Sequence, residues 1–348
     1  MNKPALKTAV LGLGRIGWAF HVQQIVKQPG FELAAVVDPL AERLREAAAQ
    51  FHPGACYTSC EALYAHQKPD LVVVASPTSF HRQQVLQAFD HGCDVFCDKP
   101  LAVSLQETEQ IIAAMQRTGR KLMVFQPHRV TPETCALKAI FSDGWLGKIY
   151  LVKHSVTNFI RRCDWQAFRK HGGGMLNNYG AHYIDQFLYL NQSKFRKFSC
   201  ELRAVATLGD ADDVVKAVIT AENDVILDLD INMASAQPMP PWYIAGSCGT
   251  AVYEAGRQEW TLTYFEPGEL TRIELQSGLA AANRAYSSGE TIPWKTRIIR
   301  NQDYPAIDFY EKCREYFAGD RAPFVPVSDT HEVMRALFEC RRNAGWDE

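Results

Sequence analysis

The sequence predicts an α/β fold in which a parallel sheet covered by helices is followed by a domain with a mostly antiparallel sheet. Three observations support this prediction. The first 125 residues alternate between short apolar segments, typical of strands, and longer segments with helical spacing. One segment, LVVVASP, is apolar without interruption, as in a strand that is buried on both faces. From about residue 199 to 276 the apolar residues instead recur with a period of two.

The predicted elements of the first domain, residues 1–125, follow one another in β-α-β order. The strands are expected at Thr8–Leu11, Glu32–Asp38, the LVVVASP segment, Asp94–Cys97 and Lys121–Phe125. The helices between them are expected at Ile16–Val26, Leu40–Phe51, Phe80–His91 and Ser104–Thr118. The last of these helices opens with a capping box formed by Ser104 and Glu107. The regular order predicts a parallel sheet with helices on both faces.

The second domain, residues 126–348, follows a different pattern. Its helices are predicted at Pro132–Ser142, Gly174–Leu190, and near Ala306–Ala318 and Asp329–Arg341. Its predicted strands are DDVVKAVITA, DVILDLDIN, TAVYEA, EWTLTYF and LTRIELQ, and their period of two indicates one buried and one solvated face. No low-complexity linker separates the two domains. The last helix of the chain is expected to pack back on the first domain.

Composition argues against several classes of protein. The 348 residues carry a net charge of −2, and a pI near 6.6 gives no basic footprint for nucleic acid. No run of about 18 apolar residues is present to span a membrane. The N-terminal segment also does not resemble a signal peptide. The ten cysteines are scattered without zinc-binding spacing, which predicts reduced thiols, no metal site and a cytoplasmic protein.

A glycine-rich loop follows the first predicted strand and opens a helix. It comprises Gly12, Leu13, Gly14, Arg15, Ile16 and Gly17. In this G-x-G-x-x-G pattern the first glycine permits a tight turn and the second lets the backbone approach a pyrophosphate. The third lets the helix pack closely on the strand. The strand–loop–helix context therefore predicts a dinucleotide site, with the phosphates held at the helix N-terminus.

The acidic residue Asp38 ends the following strand, about 20 residues after the glycine loop. A carboxylate at this position accepts hydrogen bonds from the ribose hydroxyls and repels a 2′-phosphate. The predicted cofactor is therefore NAD. Because Arg43 is close enough in the chain to contact a phosphate, NADP is kept as the alternative.

Polar residues follow two more strands of the predicted sheet. They are Ser76, Pro77, Thr78 and His81 after the LVVV strand, and Asp98 and Lys99 after the next. Since a dinucleotide crosses the carboxyl ends of parallel strands, both groups should face it. Asp98 is expected to bond the nicotinamide ribose, and Lys99 to reach a substrate oxygen. For His81, cofactor contact and a packing role are equally open.

These motifs together resemble the glucose–fructose oxidoreductase, inositol dehydrogenase and rhizopine-catabolism (Gfo/Idh/MocA) family. The chain has GLGRIG at 12–17, CDKPLA at 97–102, GGGMLNNYGAHYID at 172–185 and the segment WYIAGSCGTAVYE. The resemblance implies a Rossmann domain followed by a domain with a large open sheet, which in relatives makes dimer or tetramer contacts. It also implies an NAD(P)-dependent oxidoreductase acting on a hydroxyl of a sugar, cyclitol or nucleotide-sugar.

The chain departs from the family pattern at three places. Asp98 stands where the family usually has Glu, which shortens its reach. Asn178 stands where inositol dehydrogenases have Asp, so this side chain can bond substrate but cannot accept a proton. Ser76-Pro77-Thr78 replaces the commoner Thr-Pro-Asn.

The catalytic residues are expected to be Lys99, His182, Asp185 and Asn178. His182 and Asp185 share a helix face, and Asn178 lies one turn earlier. On this hypothesis His182 takes the hydroxyl proton, and Lys99 stabilises the developing alkoxide charge. Asp185 either takes part directly or has a structural role, such as orienting His182.

Four further residues are predicted to bind substrate: Gln126, Arg129, Arg161 and Trp165. The last two belong to the segment NFIRRCDWQAFRKHGGG, which is either a substrate lid with guanidinium groups for an anion or a solvated basic loop. Two other functions stay open. One is an NAD(P)-sensing regulator without turnover, and the other is an NAD-dependent glycosidase that acts through transient oxidation.

Overall fold

A six-stranded parallel sheet forms the first domain of this computed structural model, which describes residues 4–273, 275 and 290–346. Its strands are β1 (Leu6–Leu11), β2 (Phe31–Val37), β3 (Cys56–Tyr57), β4 (Leu71–Val74), β5 (Asp94–Asp98) and β6 (Leu122–Phe125). They lie in the order β3-β2-β1-β4-β5-β6, so the order reverses between β1 and β4. The carboxyl ends of β1 and β4 therefore border the crevice where such sheets bind dinucleotides.

Helices cover both faces of this sheet. They are α1 (Gln23–Lys27), α2 (Ala41–Phe51), α3 (Cys60–His66), α4 (His81–Asp90) and α5 (Leu105–Thr118). A π-helical segment, Gly17–Val22, precedes α1. The predicted capping box is present in part, since the Ser104 side chain accepts from the Glu107 N–H, and Gly119 ends α5 with a φ of 65°. The short elements β3 and α3 were not among the predicted ones.

The second domain contains an eight-stranded sheet. Its strands are β7 (Ile149–Thr157), β8 (Phe195–Arg203), β9 (Val214–Ala221), β10 (Ile226–Asn232), β11 (Trp242–Gly246), β12 (Gly249–Glu254), β13 (Glu259–Tyr264) and β14 (Lys295–Arg300). Only β7 and β10 pair in parallel, so the sheet is mostly antiparallel, as predicted. The predicted strand LTRIELQ is wrong at 270–273 and 275, which form no strand, and its other residues lie outside the described chain.

Side chains alternate across this sheet as its period of two requires. Ala217, Ile244 and Ile299 are buried toward the helical layer of α6 (Pro132–Ser142) and α7 (Ala181–Asn191). Their neighbours Val218, Tyr243 and Ile298 are exposed on the opposite face. One face of the sheet is therefore open.

The last two helices return toward the first domain. They are α8 (Phe309–Phe317) and α9 (Val327–Asn343). Helix α9 packs on α7 and β8 and also contacts α5 and β6. Helix α8 contributes Phe309, Tyr310, Cys313 and Phe317 to the core that covers one face of the parallel sheet. Among the helices of the described ranges, none has the length and apolar character needed to cross a bilayer.

Candidate active site

The glycine loop lies where the sheet order reverses. Gly12 has a φ of 93°, in the region that favours glycine, and a Cβ there would come 2.8 Å from the Ser76 amide nitrogen. A Cβ on Gly17 would overlap the carbonyl oxygen of Gly12. Beside Gly14, in contrast, a Cβ would meet no atom within 4 Å. The first and third glycines thus serve the packing of the loop, while the second leaves its backbone open to a ligand.

Asp38 connects the end of β2 to this loop. Its Oδ2 accepts the Leu13 N–H at 2.8 Å and lies 3.2 Å from the Arg43 guanidinium, while its Oδ1 accepts the Leu40 N–H at 3.0 Å. The side chain is buried. A carboxylate offers about four acceptor positions, so three of them are occupied by the protein and one is free for a ribose hydroxyl.

The segment after β4 runs along the crevice. Thr78 lines a cleft that lies beside Lys99. The Ser76 hydroxyl donates to the side-chain oxygen of Gln84 at 2.6 Å. His81 is buried, and its two ring nitrogens lie 2.9 Å from the Ser76 carbonyl oxygen and 3.0 Å from that of Pro100. His81 therefore ties the ends of β4 and β5 together, and cofactor contact, one of its two predicted roles, does not fit this placement.

Lys99 reaches across the domain boundary. Its Nζ donates to the backbone oxygen of Asn178 at 2.7 Å and to the Asn178 Oδ1 at 3.0 Å. Burial, together with the nearby guanidinium groups of Arg15 and Arg162, lowers the pKa of Lys99 to about 8, although the Asp98 carboxylate opposes the shift. The Lys99–Pro100 peptide is cis. Lys99 and Asn178, predicted from distant motifs, are in direct contact.

Asp98 is only partly free for the predicted ribose contact. Its Oδ1 lies 3.2 Å from the Nε2 of His21, a residue of the π-helical segment after the glycine loop. One carboxylate oxygen of Asp98, which is shorter than the family's Glu, therefore contacts a buried histidine, and the other oxygen is left for the ribose.

His182 stacks face to face on His128, with ring centroids 4.2 Å apart and planes 3° apart. Its Nδ1 is buried and has no hydrogen-bond partner among the described residues. Burial, followed by the positive charge of Lys99 and by His128, lowers the pKa of His182 well below its usual range. Burial and Lys99 likewise lower the pKa of His128 to about 4. At neutral pH His182 is therefore a neutral imidazole, the form that accepts a proton.

Asp185 and Arg129 contact each other instead of the cleft. Arg129 Nη2 and Nε donate to the two carboxylate oxygens of Asp185 at 2.7 and 2.8 Å, and Arg129 Nη2 also binds Asp329 at 2.9 Å. Both Arg129 and Asp185 are fully buried. Arg129 is therefore committed to buried carboxylates and does not fit the predicted substrate contact, and Asp185 has the structural role that was one of its two predicted roles, with Arg129 instead of His182 as its partner.

The cleft beside Lys99 is walled by the loop between β7 and α7. Its lining residues are Thr78, Lys99, Pro100, Trp165, Gln166, Gly172, Gly173, Gly174, Asn177 and Asn178. Trp165 thus lines the cleft, and its predicted contact with substrate stays a prediction. Arg161 is exposed, whereas the guanidinium of the adjacent Arg162, which was not among the predicted substrate residues, is near enough to lower the pKa of Lys99. Gln126 is buried and does not line this cleft.

Three contributors were missed by sequence reasoning. Asn177 closes the glycine segment by donating to the carbonyl oxygens of Gly172 and Gly173 at 3.1 and 3.2 Å. Gln166 binds the Asn178 amide at 3.4 Å, and His128 lies against His182. The N-N pair before the GAH segment was the available signal for Asn177, whereas nothing local marked His128. Within the described ranges no cluster of His, Cys, Asp or Glu could hold a metal ion.

Comparisons with known proteins agree with this geometry. Residues 6–126 match a family described as "Oxidoreductase family, NAD-binding Rossmann fold", and residues 135–252 match the GFO/IDH/MocA C-terminal domain. D-glucoside 3-dehydrogenase of Escherichia coli is 28% identical over 55% of each chain. The scyllo-inositol 2-dehydrogenase (NAD(+)) of Bacillus subtilis is 30% identical over 53% of this chain and 54% of its own. The chain thus spans a little over half the length of these relatives.

Solved structures show the same fold over nearly the whole chain. An NAD-binding protein from Listeria innocua has a TM-score of 0.81 at 24% identity and covers 98% of this chain and 95% of its own. The WlbA dehydrogenase from Bordetella pertussis, solved with NADH and UDP-GlcNAcA, has a TM-score of 0.77 at 19% identity, with coverage of 98% and 97%. Family models thus match both domains of this chain, and the family's sequence motifs are present in it. The chain belongs to the GFO/IDH/MocA oxidoreductase family.

Proposed function

We propose that this protein is an NAD-dependent oxidoreductase that oxidises or reduces a CH–OH group of a sugar, cyclitol or related polyol. The observation that carries the proposal is the contact between Lys99 and Asn178, together with the neutral imidazole of His182, which is near enough for the Lys99 charge to lower its pKa. An amine and an imidazole of this kind can share the work of moving a hydroxyl proton and of stabilising charge on its oxygen.

The residues around the glycine loop fit NAD. The open side of Gly14 lets a pyrophosphate approach the backbone, and the free acceptor position of Asp38 suits a ribose hydroxyl. Arg43 is already paired with Asp38, which favours NAD over NADP as the bound form. The amides of the loop Gly12–Gly17 would hold the phosphates, and Ser76, Pro77 and Thr78 would border the nicotinamide path. When bound, NAD supplies the hydride acceptor of the reaction.

The protein's own part in the reaction is to orient the alcohol and to take its proton. An ammonium has three N–H donors, and Asn178 accepts two of those of Lys99, which leaves one for the substrate oxygen. With a pKa of about 8, Lys99 is mostly protonated at pH 7 and stabilises negative charge as the alkoxide forms. His182 takes the hydroxyl proton while hydride leaves the carbon, so the alcohol becomes a ketone.

Substrate contacts are assigned to the wall of the cleft. Trp165 offers an aromatic face to the C–H side of a sugar ring, and Gln166 and Asn178 offer amides to its hydroxyl groups. Arg162 replaces Arg161 as the guanidinium close to the reacting centre. We keep Arg161 only as a residue of the exposed loop.

The proposal is tested by NADH formation from a panel of polyols and sugars, with an identical panel in the reverse direction. Turnover that disappears in Lys99→Met and His182→Ala supports it. Absence of hydride exchange with every compound, in a protein that binds NAD, would instead favour the regulatory alternative.

A second candidate function uses the same site but gives a product without net oxidation or reduction. The 2,7-anhydro-N-acetylneuraminate hydratase of Mediterraneibacter gnavus is 26% identical over 84% of this chain and 83% of its own. An enzyme that oxidises its substrate transiently would release a rearranged or cleaved sugar with no net NADH. Product analysis by NMR, with NAD at less than one equivalent per substrate, separates the two functions.

We further propose a cytoplasmic homodimer or homotetramer that assembles through the open face of the eight-stranded sheet. Val218, Tyr243 and Ile298 are exposed there, and buried aromatic and aliphatic side chains commonly form the centre of such contacts. We assign the cytoplasm because the ten cysteines are scattered singly along the sequence, as is usual in a reducing compartment. Light scattering on the wild type and on Tyr243→Lys tests the assembly, and a monomeric wild type would contradict it.

A further inference from the structure

A buried chain of hydrogen bonds joins helix α8 to the catalytic end of β5. The Tyr310 hydroxyl lies 2.8 Å from Nδ1 of His21, and Nε2 of His21 lies 3.2 Å from Oδ1 of Asp98. His21 and Tyr310 are 0% and 1% exposed. The proposed chemistry uses neither of them, although their chain ends at the residue that precedes Lys99.

The direction of each hydrogen bond follows from the groups involved. An ionised carboxylate only accepts, so His21 donates its Nε2–H to Asp98. Phe20, Phe96 and Phe125 surround the imidazole with ring centroids 4.9 to 5.5 Å away. A neutral ring with a proton on Nε2 has an acceptor at Nδ1. Tyr310 therefore donates its O–H to Nδ1 at 2.8 Å in preference to the His21 carbonyl oxygen at 3.5 Å, which fixes the tautomer of His21.

We propose that His21 and Tyr310 are positioning residues that hold the Asp98 carboxylate beside Lys99. Without the Tyr310 hydroxyl, the two tautomers of His21 are no longer distinguished. In the Nδ1–H tautomer a lone pair on Nε2 faces the Asp98 oxygen, and the carboxylate turns away. The position of the carboxylate that opposes the lowering of the Lys99 pKa is thus decided by a residue of α8.

The pKa of Lys99 depends on the position of the Asp98 carboxylate, because the other charged groups that act on Lys99 are cations or histidines that can become cations. Arg15 approaches it from the glycine loop, Arg162 from the loop after β7, His128 from the turn after β6, and His182 from α7. Asp98 opposes the lowering of the Lys99 pKa by burial and by the two arginines. Displacement of Asp98 therefore lowers the pKa of Lys99 further, and the protonated amine is lost at lower pH.

The first arm of the test does not depend on activity. Nitrogen-15 spectra of labelled imidazoles, with His21 assigned from His21→Gln, should show a neutral Nε2–H ring in the wild type. Tyr310→Phe should mix the tautomers, whereas Tyr316→Phe, which removes another hydroxyl from the same helix, should leave the spectrum unchanged. A protonated or Nδ1–H ring in the wild type, or an unchanged ring in Tyr310→Phe, overturns the proposal.

The second arm measures Lys99 itself. Amine acylation read by mass spectrometry as a function of pH should shift its midpoint down by on the order of one pH unit in Tyr310→Phe and in His21→Leu. His21→Gln, which can still donate an N–H to Asp98, should shift less. A midpoint equal to that of the wild type in His21→Leu contradicts the positioning role.

The third arm rests on the proposed hydride transfer. If Lys99 acts as an ammonium, the alkaline limb of kcat/KM should move to lower pH in Tyr310→Phe and stay in place in Tyr316→Phe. An absence of turnover in the wild type would refute the proposed function and leave the first two arms intact. A normal alkaline limb in an active Tyr310→Phe would instead refute the positioning role alone.

Discussion

Lys99 and Asn178 lie 79 residues apart in the chain and make two hydrogen bonds, from one Nζ to the backbone oxygen and to Oδ1 of the same asparagine. The contact joins the end of β5 in the first domain to the π-helical segment that precedes α7 in the second. The proposed reacting centre therefore exists only when both domains are in place.

Lys99→Met should reduce kcat by about a hundred- to ten-thousandfold, the usual range for a positioned proton-transfer group. Methionine keeps most of the buried volume but removes the charge and all three donors. Steady-state rates and the NADH dissociation constant should be measured together. A fall in NADH affinity that accounts for the whole loss of activity would contradict a catalytic role and indicate damage to the cofactor site.

His128 should control the acidic limb of the pH profile. His182 accepts a proton only as a neutral ring, so activity is lost when pH falls below its pKa. Burial, Lys99 and His128 all lower that pKa, which places the limb below the ordinary value of about 6.5. His128→Asn removes one of the lowering groups, so the limb of kcat/KM should move to higher pH. A limb that does not move, in an active variant, would exclude electrostatic coupling between the rings.

Asp185→Asn should impair folding rather than chemistry. The change leaves the buried guanidinium of Arg129 without its bidentate partner, and breaking such a pair costs about 3–5 kcal/mol of unfolding free energy. Asp329→Asn is the matched control, because Asp329 binds the same guanidinium from a partly exposed position and should cost less. Urea unfolding measures both. If the Asp185→Asn protein were stable but had no turnover, Asp185 would have a catalytic role and the prediction would be wrong.

Asp38→Ser should shift the preference from NAD toward NADP. The change removes the carboxylate that we assign to the ribose and frees Arg43, whose guanidinium can then bind a 2′-phosphate. Each tenfold change in the ratio of kcat/KM corresponds to about 1.4 kcal/mol. The double variant Asp38→Ser/Arg43→Ala separates the two effects, because it should lose the gain for NADP. An unchanged ratio in the single variant would remove Asp38 from the cofactor site.

The sequence predicted the parts of the site that depend on local rules. The glycine loop, Asp38, Lys99 and the helix that bears His182 each carry a signal within about ten residues, through turn geometry, strand ends or helical spacing. For the same reason the main strands of the parallel sheet were predicted within a few residues. The exceptions, β3 and α3, are too short to have a pattern.

The errors arose where the partner of a side chain is distant in the chain. Asp185 has the correct spacing to share a face with His182, but its carboxylate meets Arg129, 56 residues away. Of two adjacent arginines, only the course of the loop decides that Arg162 and not Arg161 approaches Lys99. His81 has a strand-end position that suits a cofactor contact, yet two carbonyl oxygens enclose it. Spacing alone does not contain this information.

Helix α8 also sets the order in which the chain can fold. Phe309 stacks on Phe96 of β5 and meets Phe125 of β6 edge to face, so residues that follow the second sheet complete the core of the first domain. During translation one apolar face of the parallel sheet therefore stays exposed until α8 has left the ribosome and can pack on it. A truncated chain that ends before residue 309 should therefore bind chaperones or aggregate, even though it contains every strand of both sheets.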